Sequence, residues 1–248
     1  MFEFLRNWLA APREPRARAL ETQGTWTLDS PGDPIVDVTL RRSRGLDERN
    51  GQIPEEMAAV FTSTALSQAG FGYRIRFGFD PVDSPDEVAH CSGECHDWYE
   101  TAVTDWDAAA QDANLLLVDA DGGGCGQGWP PRVGTVPGRH LDERREYEPE
   151  GRDRFHSTVQ SILHELGHCL GSHHDHDPET PDDQHPGMGW NDHDEGVYRY
   201  TPTAFGNDLI NRCGEQVPKR EYDTGVRVHE FHDCAVELFE TELRKRQG

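Results

Sequence analysis

The string HELGHCLGSHH, from His164 to His174, constrains this chain more than any other part of it. His164 and His168 are four residues apart, so on a helix turning about 100° per residue they share one face. Phe155, Val159, Ile162, Leu166, Cys169 and Leu170 gather on the other side. That pattern predicts a helix over residues 157–170 with one face in a core. Ser157, with Gln160 three residues on, reads as a capping-box start. Gly171 is placed to end the helix, because glycine takes the positive φ of a helix C-terminus without strain. The chain then turns, and His174 follows three residues later. Two imidazoles on one face and a third beyond the turn are the donors a catalytic zinc takes, with the fourth corner left to water. Glu165 beside them suits a general base acting on that water. A surface helix with incidental histidines would not call for the glycine and third histidine at these spacings.

HExxHxxGxxH, as written in His164, Glu165, His168, Gly171 and His174, resembles the signature of the metzincin zinc peptidases. The resemblance implies zinc held by His164, His168 and His174, with Glu165 as general base. It also implies a methionine turn below the metal, a role Met188 in HPGMGW fits. The implied fold class is α+β, a metzincin-like zincin. Its N-terminal lobe would carry a twisted mixed sheet and the active-site helix, and its small C-terminal lobe would be mainly helical. NLLLVDADGGGCGQG, residues 114–128, resembles the edge strand and following loop that line the peptide cleft of this group. The corresponding organisation is an N-terminal tail over 1–25 and a metallopeptidase domain over 26–248. The upper lobe would span about 26–174 and the lower about 175–248. Trp190 departs from the pattern, since several metzincin families carry tyrosine two residues past the methionine. A tyrosine-assisted mechanism is therefore not expected there, and no propeptide cysteine switch is recognisable. The expected function is a zinc-dependent endopeptidase acting on a peptide or protein as a monomer. The rival is a non-catalytic, zinc-containing binding protein on the same scaffold. Glu165 favours the enzyme, because a structural zinc site has no use for a base and prefers a fourth protein ligand.

The remaining composition speaks of solvent and partners. The 248 residues carry 46 acidic against 24 basic side chains, a formal charge of -22. Nucleic acid and anionic membrane reward clustered positive charge and are poor partners for such a chain. The acidic residues are dispersed, and lysine occurs only at Lys219 and Lys245. That resembles proteins of salt-loving organisms, whose surface charge preserves solubility when salt screens other interactions. An ordinary acidic protein is the alternative. No apolar run reaches the roughly 18 residues of a membrane span. Glu3 and Arg6 interrupt the N-terminal apolar stretch, which does not read as a secretory signal and points to the cytoplasm. Six cysteines, an even count, would suit export, so the compartment stays open.

Along the chain, DPIVDVTLRR reads as a strand with Val36, Val38 and Leu40 inward, and IPEEMAAVFTSTALSQAG as a helix. Pro54 lies in the helix's first turn, Glu55 and Glu56 suit its positive end, and Gly70 can close it. Met57, Val60 and Phe61 form its apolar stripe. YRIRFGF alternates through Tyr73, Ile75, Phe77 and Phe79 as a second strand, and NLLLVDAD reads as a strand buried on both faces. GGGCGQGWPPRVG is too glycine-rich for regular structure. Two helices finish the chain, near 204–212 and 228–246.

Weaker signals remain. VHEFHDC places His229 and His232 on the polar face of the last helix. His90, Cys91, Cys95 and His96 suit either a structural zinc or a closed disulfide loop. Cys213 and Cys234 are a second candidate pair. Asp119 and Asp121, and Asp175, Asp177, Asp182 and Asp183, are candidate Ca2+ ligands, with a solvated acidic loop as the default. His173 and His176 compete with His174 as third ligand, and the glycine spacing favours His174. Cys169 on the core face is a buried thiol or a disulfide to Cys125, not a nucleophile.

Overall fold

The computed structural model describes residues 18–22, 24–84, 102–103, 109–121, 124–127, 130, 132–142, 149–172, 190–191, 199–200, 226–227, 229, 231 and 233–248. These form a mixed α/β fold. Its elements are β1 (Arg18–Thr22), β2 (Thr25–Ser30), β3 (Ile35–Arg42), α1 (Arg44–Asn50), α2 (Ile53–Gln68), β4 (Gly72–Phe77), β5 (Ala113–Val118), β6 (Cys125–Gly126), β7 (Val133–Pro137), α3 (Pro149–Cys169), β8 (Trp190–Asn191), β9 (Arg199–Tyr200), β10 (Val226–Arg227) and α4 (Asp233–Gln247).

The main sheet has seven strands in the order β1-β2-β4-β3-β5-β7-β6. β4, β3, β5 and β7 run parallel, a β1–β2 hairpin adds antiparallel strands on one edge, and β6 adds an antiparallel strand on the other. Parallel neighbours need crossovers, and α2 makes the one between β3 and β4. Val36, Val38 and Leu40 are fully buried, as their alternation predicts. β5 is buried along its whole length. Leu115 and Leu117 enter the main core, while Leu116 and Val118 join a smaller cluster with Val103 and Val133. The main core also takes Met57, Val60 and Leu66 of α2, Phe155, Val159, Ile162 and Leu166 of α3, and Phe239 and Leu243 of α4. The last helix thus shares its core with the sheet.

Several sequence expectations change. Residues 18–22, placed in the tail, pair with β2 and belong to the sheet. β5 is internal, and the edge on that side is β6, which forms inside the glycine-rich stretch expected to be irregular. β4 stops at Phe77 because Gly78 has φ 85°, and Phe79 beyond it lies 4.4 Å under the Arg41 guanidinium. α3 begins at Pro149, eight residues before Ser157. Pro149 is pre-set for a first helical turn, and Phe155 already lies in the core. Ser157 is therefore mid-helix, its carbonyl accepting from Ser161 Oγ at 3.1 Å. α4 begins at Asp233, since Val226–Arg227 is a strand parallel to β9. The helix expected near 204–212 lies outside the described residues. Of the expected lower lobe, the described part comprises α4 and the small β8–β10 sheet.

Glu55 and Glu56 are buried, not merely placed at the helix's positive end. One Glu55 oxygen accepts from Arg42 Nη1 at 2.8 Å and from Gly78 N at 3.0 Å. Arg42 also reaches Asp47 at 2.6 Å and the Phe79 carbonyl at 2.8 Å. This bond set ties β3, α1, α2 and the end of β4 together. Full burial outweighs the Arg42 attraction and pushes the Glu55 carboxyl up to about 7. Breaking a buried pair leaves an uncompensated charge, so Arg42→Met is expected to cost about 3 kcal/mol in denaturant unfolding. A buried acid with a raised pKa favours its protonated form in the native state, so its contribution falls as pH rises. The Arg42→Met penalty is therefore expected to be larger at about pH 8 than at about pH 5. Equal penalties at both would contradict this role for Glu55.

Candidate metal centre

α3 ends as the sequence predicts. Gly171 has φ 110°. Its N–H donates to the His168 carbonyl at 3.0 Å, and Ser172 N–H donates to the Gly167 carbonyl at 2.9 Å. These two bonds make a Schellman motif, which satisfies carbonyls the helix leaves open and reverses the chain. The reversal carries the Ser172 carbonyl back to His168, where it accepts from Nδ1 at 2.7 Å. Nδ1 is thereby the protonated nitrogen, which makes Nε2 the ring nitrogen with the lone pair. α4 closes over the turn. Arg246 donates to the Cys169 carbonyl at 3.4 Å, and a Cβ at Gly171 would come 3.0 Å from Glu242 Cγ.

His164, Glu165 and His168 come together. Their ligating atoms lie within 4.8 Å of one another, and the two imidazoles meet edge to face with ring centres 4.6 Å apart. The face of α3 that carries these side chains is not open surface. His164, Glu165 and His168 are 2%, 5% and 8% exposed. The β6 backbone and the preceding Gly124 lie against Glu165 and His168, and only glycine permits so close an approach. A Cβ at Gly126 would lie 2.9 Å from His168 Cβ and 3.0 Å from Glu165 Oε2, and one at Gly124 would collide with Glu165 Oε1. Gly134 on β7 instead makes room within the sheet: a Cβ there would come 2.9 Å from Leu115 Cδ2 and 3.1 Å from the Cys125 carbonyl, but stay 3.5 Å from Glu165 Cβ. Sequence reading missed these glycines because it took the stretch for a loop; the short G-x-G spacing of Gly124 and Gly126 was the available signal.

Glu165 Oε2 is buried with no hydrogen-bond partner among the described residues. Burial pushes the carboxyl up to about 8. A buried acceptor left unpaired beside two imidazoles costs free energy that a divalent cation at the site would offset. The donors present therefore fit a metal ion. His174, Met188, His173 and His176 lie outside the described residues, as do Asp175, Asp177, Asp182, Asp183, His90, Cys91, Cys95 and His96. Trp190 pairs with Tyr200 through β8 and β9.

Other candidates take different places. Cys169 is a free, fully buried thiol whose pKa burial pushes up to about 12, so it is no nucleophile. Cys125 is disulfide-bonded. The alternative Cys125–Cys169 pairing is thus excluded, while the 91–95 and 213–234 pairings fall outside the described side chains. Asp119 accepts from Arg49 at 2.9 Å and Arg139 at 2.7 Å, and Asp121 pairs with Arg139 at 2.6 Å and His140 at 2.7 Å. Cations of the chain itself thus occupy both proposed calcium ligands. His229 lies before α4, not on it, and sits against His156 of α3. Burial, with His156 beside it, holds its imidazole down to about 4. His232 is outside the described residues. No described helix is long and apolar enough to cross a membrane.

No protein-family model matches the chain, and no curated protein matches it.

Gly171→Ala forces a side chain into positive φ and against Glu242. It is expected to lower stability by about 1–2 kcal/mol and to weaken metal retention by displacing the Ser172 carbonyl from His168. Equal metal content after dialysis in this variant and the parent would remove the turn from the support of the site.

Proposed function

We propose that this chain is a zinc-dependent endopeptidase of metzincin type. The observation that carries the reading is the buried His164–Glu165–His168 group on one helix, ended by a positive-φ glycine. Its carboxylate oxygen has no partner among the described residues, and the Ser172 carbonyl fixes the His168 tautomer. His164 and His168 would hold the ion, with His174 as the third ligand the spacing implies. Zinc, when bound, supplies a Lewis acid that polarises a carbonyl and acidifies water.

The chain's own groups do the rest. Glu165 accepts the proton of the attacking water and delivers it to the departing amine. Glu165 is held for this by the Gly124–Gly126 backbone, which leaves its side chain little room. Ser172 fixes the His168 tautomer and ring. The unpaired Glu165 oxygen favours catalysis over a closed structural site, where a fourth protein ligand would take the base's place.

Glu165→Gln is expected to keep bound zinc and lose at least 100-fold, on the order of 10²–10⁴, in peptide cleavage. His168→Ala is expected to lose both. Cleavage of a mixed peptide library in high salt, with and without chelator, reads the outcome. Chelator-sensitive cleavage supports the enzyme. Bound zinc with no cleavage contradicts it and supports a zinc-containing binding protein.

A further inference from the structure

We propose that His156 and His229 form a second metal site, which takes a borderline divalent cation such as zinc through Nδ1 of His156 and Nε2 of His229. The two nitrogens are 3.2 Å apart and the ring centres 5.0 Å apart, with the rings tilted by 33°. Two nitrogens bound at about 2.0–2.1 Å to one tetrahedral ion lie about 3.3 Å apart, with their ring centres about 5 Å apart. A straight N–H···N hydrogen bond of the observed length would hold the ring centres roughly 5.5 Å apart. The two rings are hydrogen-bonded to each other, and the same nitrogen spacing would admit one ion shared between them in place of the proton.

Their setting holds this pairing. Phe61 meets the His229 ring edge-on at 5.0 Å, and Phe155 meets His156 at 5.4 Å. Phe61 and Phe155 also pack edge to face at 5.7 Å, so one aromatic wall orients both rings. Both histidines are half-buried. His156 precedes His164 by eight residues, roughly 12 Å along a helix axis, so the ion is distinct from the one at His164. The pair joins α3 to the segment leading into α4 across 73 positions of sequence. An ion there stabilises the folded chain by mass action, since the unfolded chain does not hold the two rings together.

Zinc counting tests this independently of the peptidase reading. Metal-stripped protein is loaded with zinc, freed of excess by gel filtration, and its zinc measured by mass spectrometry. His156→Gln and His229→Gln are each expected to lose one equivalent relative to the parent. The double variant is expected to lose the same single equivalent, and His164→Gln to lose a different one. Unchanged zinc in both single variants overturns the proposal. If the glutamine variants fold poorly by circular dichroism, the His164→Gln, His168→Ala double variant, which keeps both rings of the pair, provides the reading. Added zinc is then expected to raise its Tm, and a Tm unmoved by zinc overturns the proposal.

Discussion

The approach of strand β6 to helix α3 governs the geometry around His164 and His168. A helix normally keeps its backbone some 8–10 Å from a neighbour, because side chains stand between them. Here Gly124 and Gly126 remove those side chains, and the β6 edge settles directly on Glu165 and His168. That face is thereby drawn out of water while it still carries two imidazoles and a carboxylate. Burial of such groups is unfavourable unless something compensates them, and the Glu165 oxygen has no described partner. The proposed ion follows from this unmet requirement. The rest of the fold, four parallel strands backed by α2, α3 and α4, holds the helix against that edge.

A second constraint acts at the helix end. The Schellman bonds at Gly171 and Ser172 do more than terminate α3. They aim a backbone carbonyl at His168 Nδ1, which no side-chain substitution can remove directly. Arg246 and Glu242 of α4 seal the same turn from outside. The C-terminal helix therefore supports the centre without contributing a donor, so truncation of α4 would act on the site through the turn.

What the sequence made readable was local. The His164–His168 face, the apolar stripe from Phe155 to Leu170 and the positive φ at Gly171 follow from helix geometry and glycine stereochemistry, and the structure has them. The alternation of β3 and the all-apolar β5 were readable for the same reason. The start of α3 was not, because the Ser157 capping signal competed with Pro149 and with tertiary burial of Phe155, and burial decided. β6 was not, because a glycine run has no strand propensity, and its pairing is fixed by contact with a helix some forty residues on. The Arg42–Glu55 pair and the His156–His229 pair join distant segments with no periodic signature. Glu55 beside Glu56 at a helix start gives the same local pattern whether exposed or buried.

Anomalous diffraction from crystals of the zinc-loaded protein tests the central claim most directly. The account predicts an ion within about 2.1 Å of one imidazole nitrogen of each of His164 and His168. Glu165 should stand beside it without bonding it, with one coordination corner left to solvent. An ion bonded directly by the Glu165 carboxylate, or enclosed by four protein side chains, would contradict it.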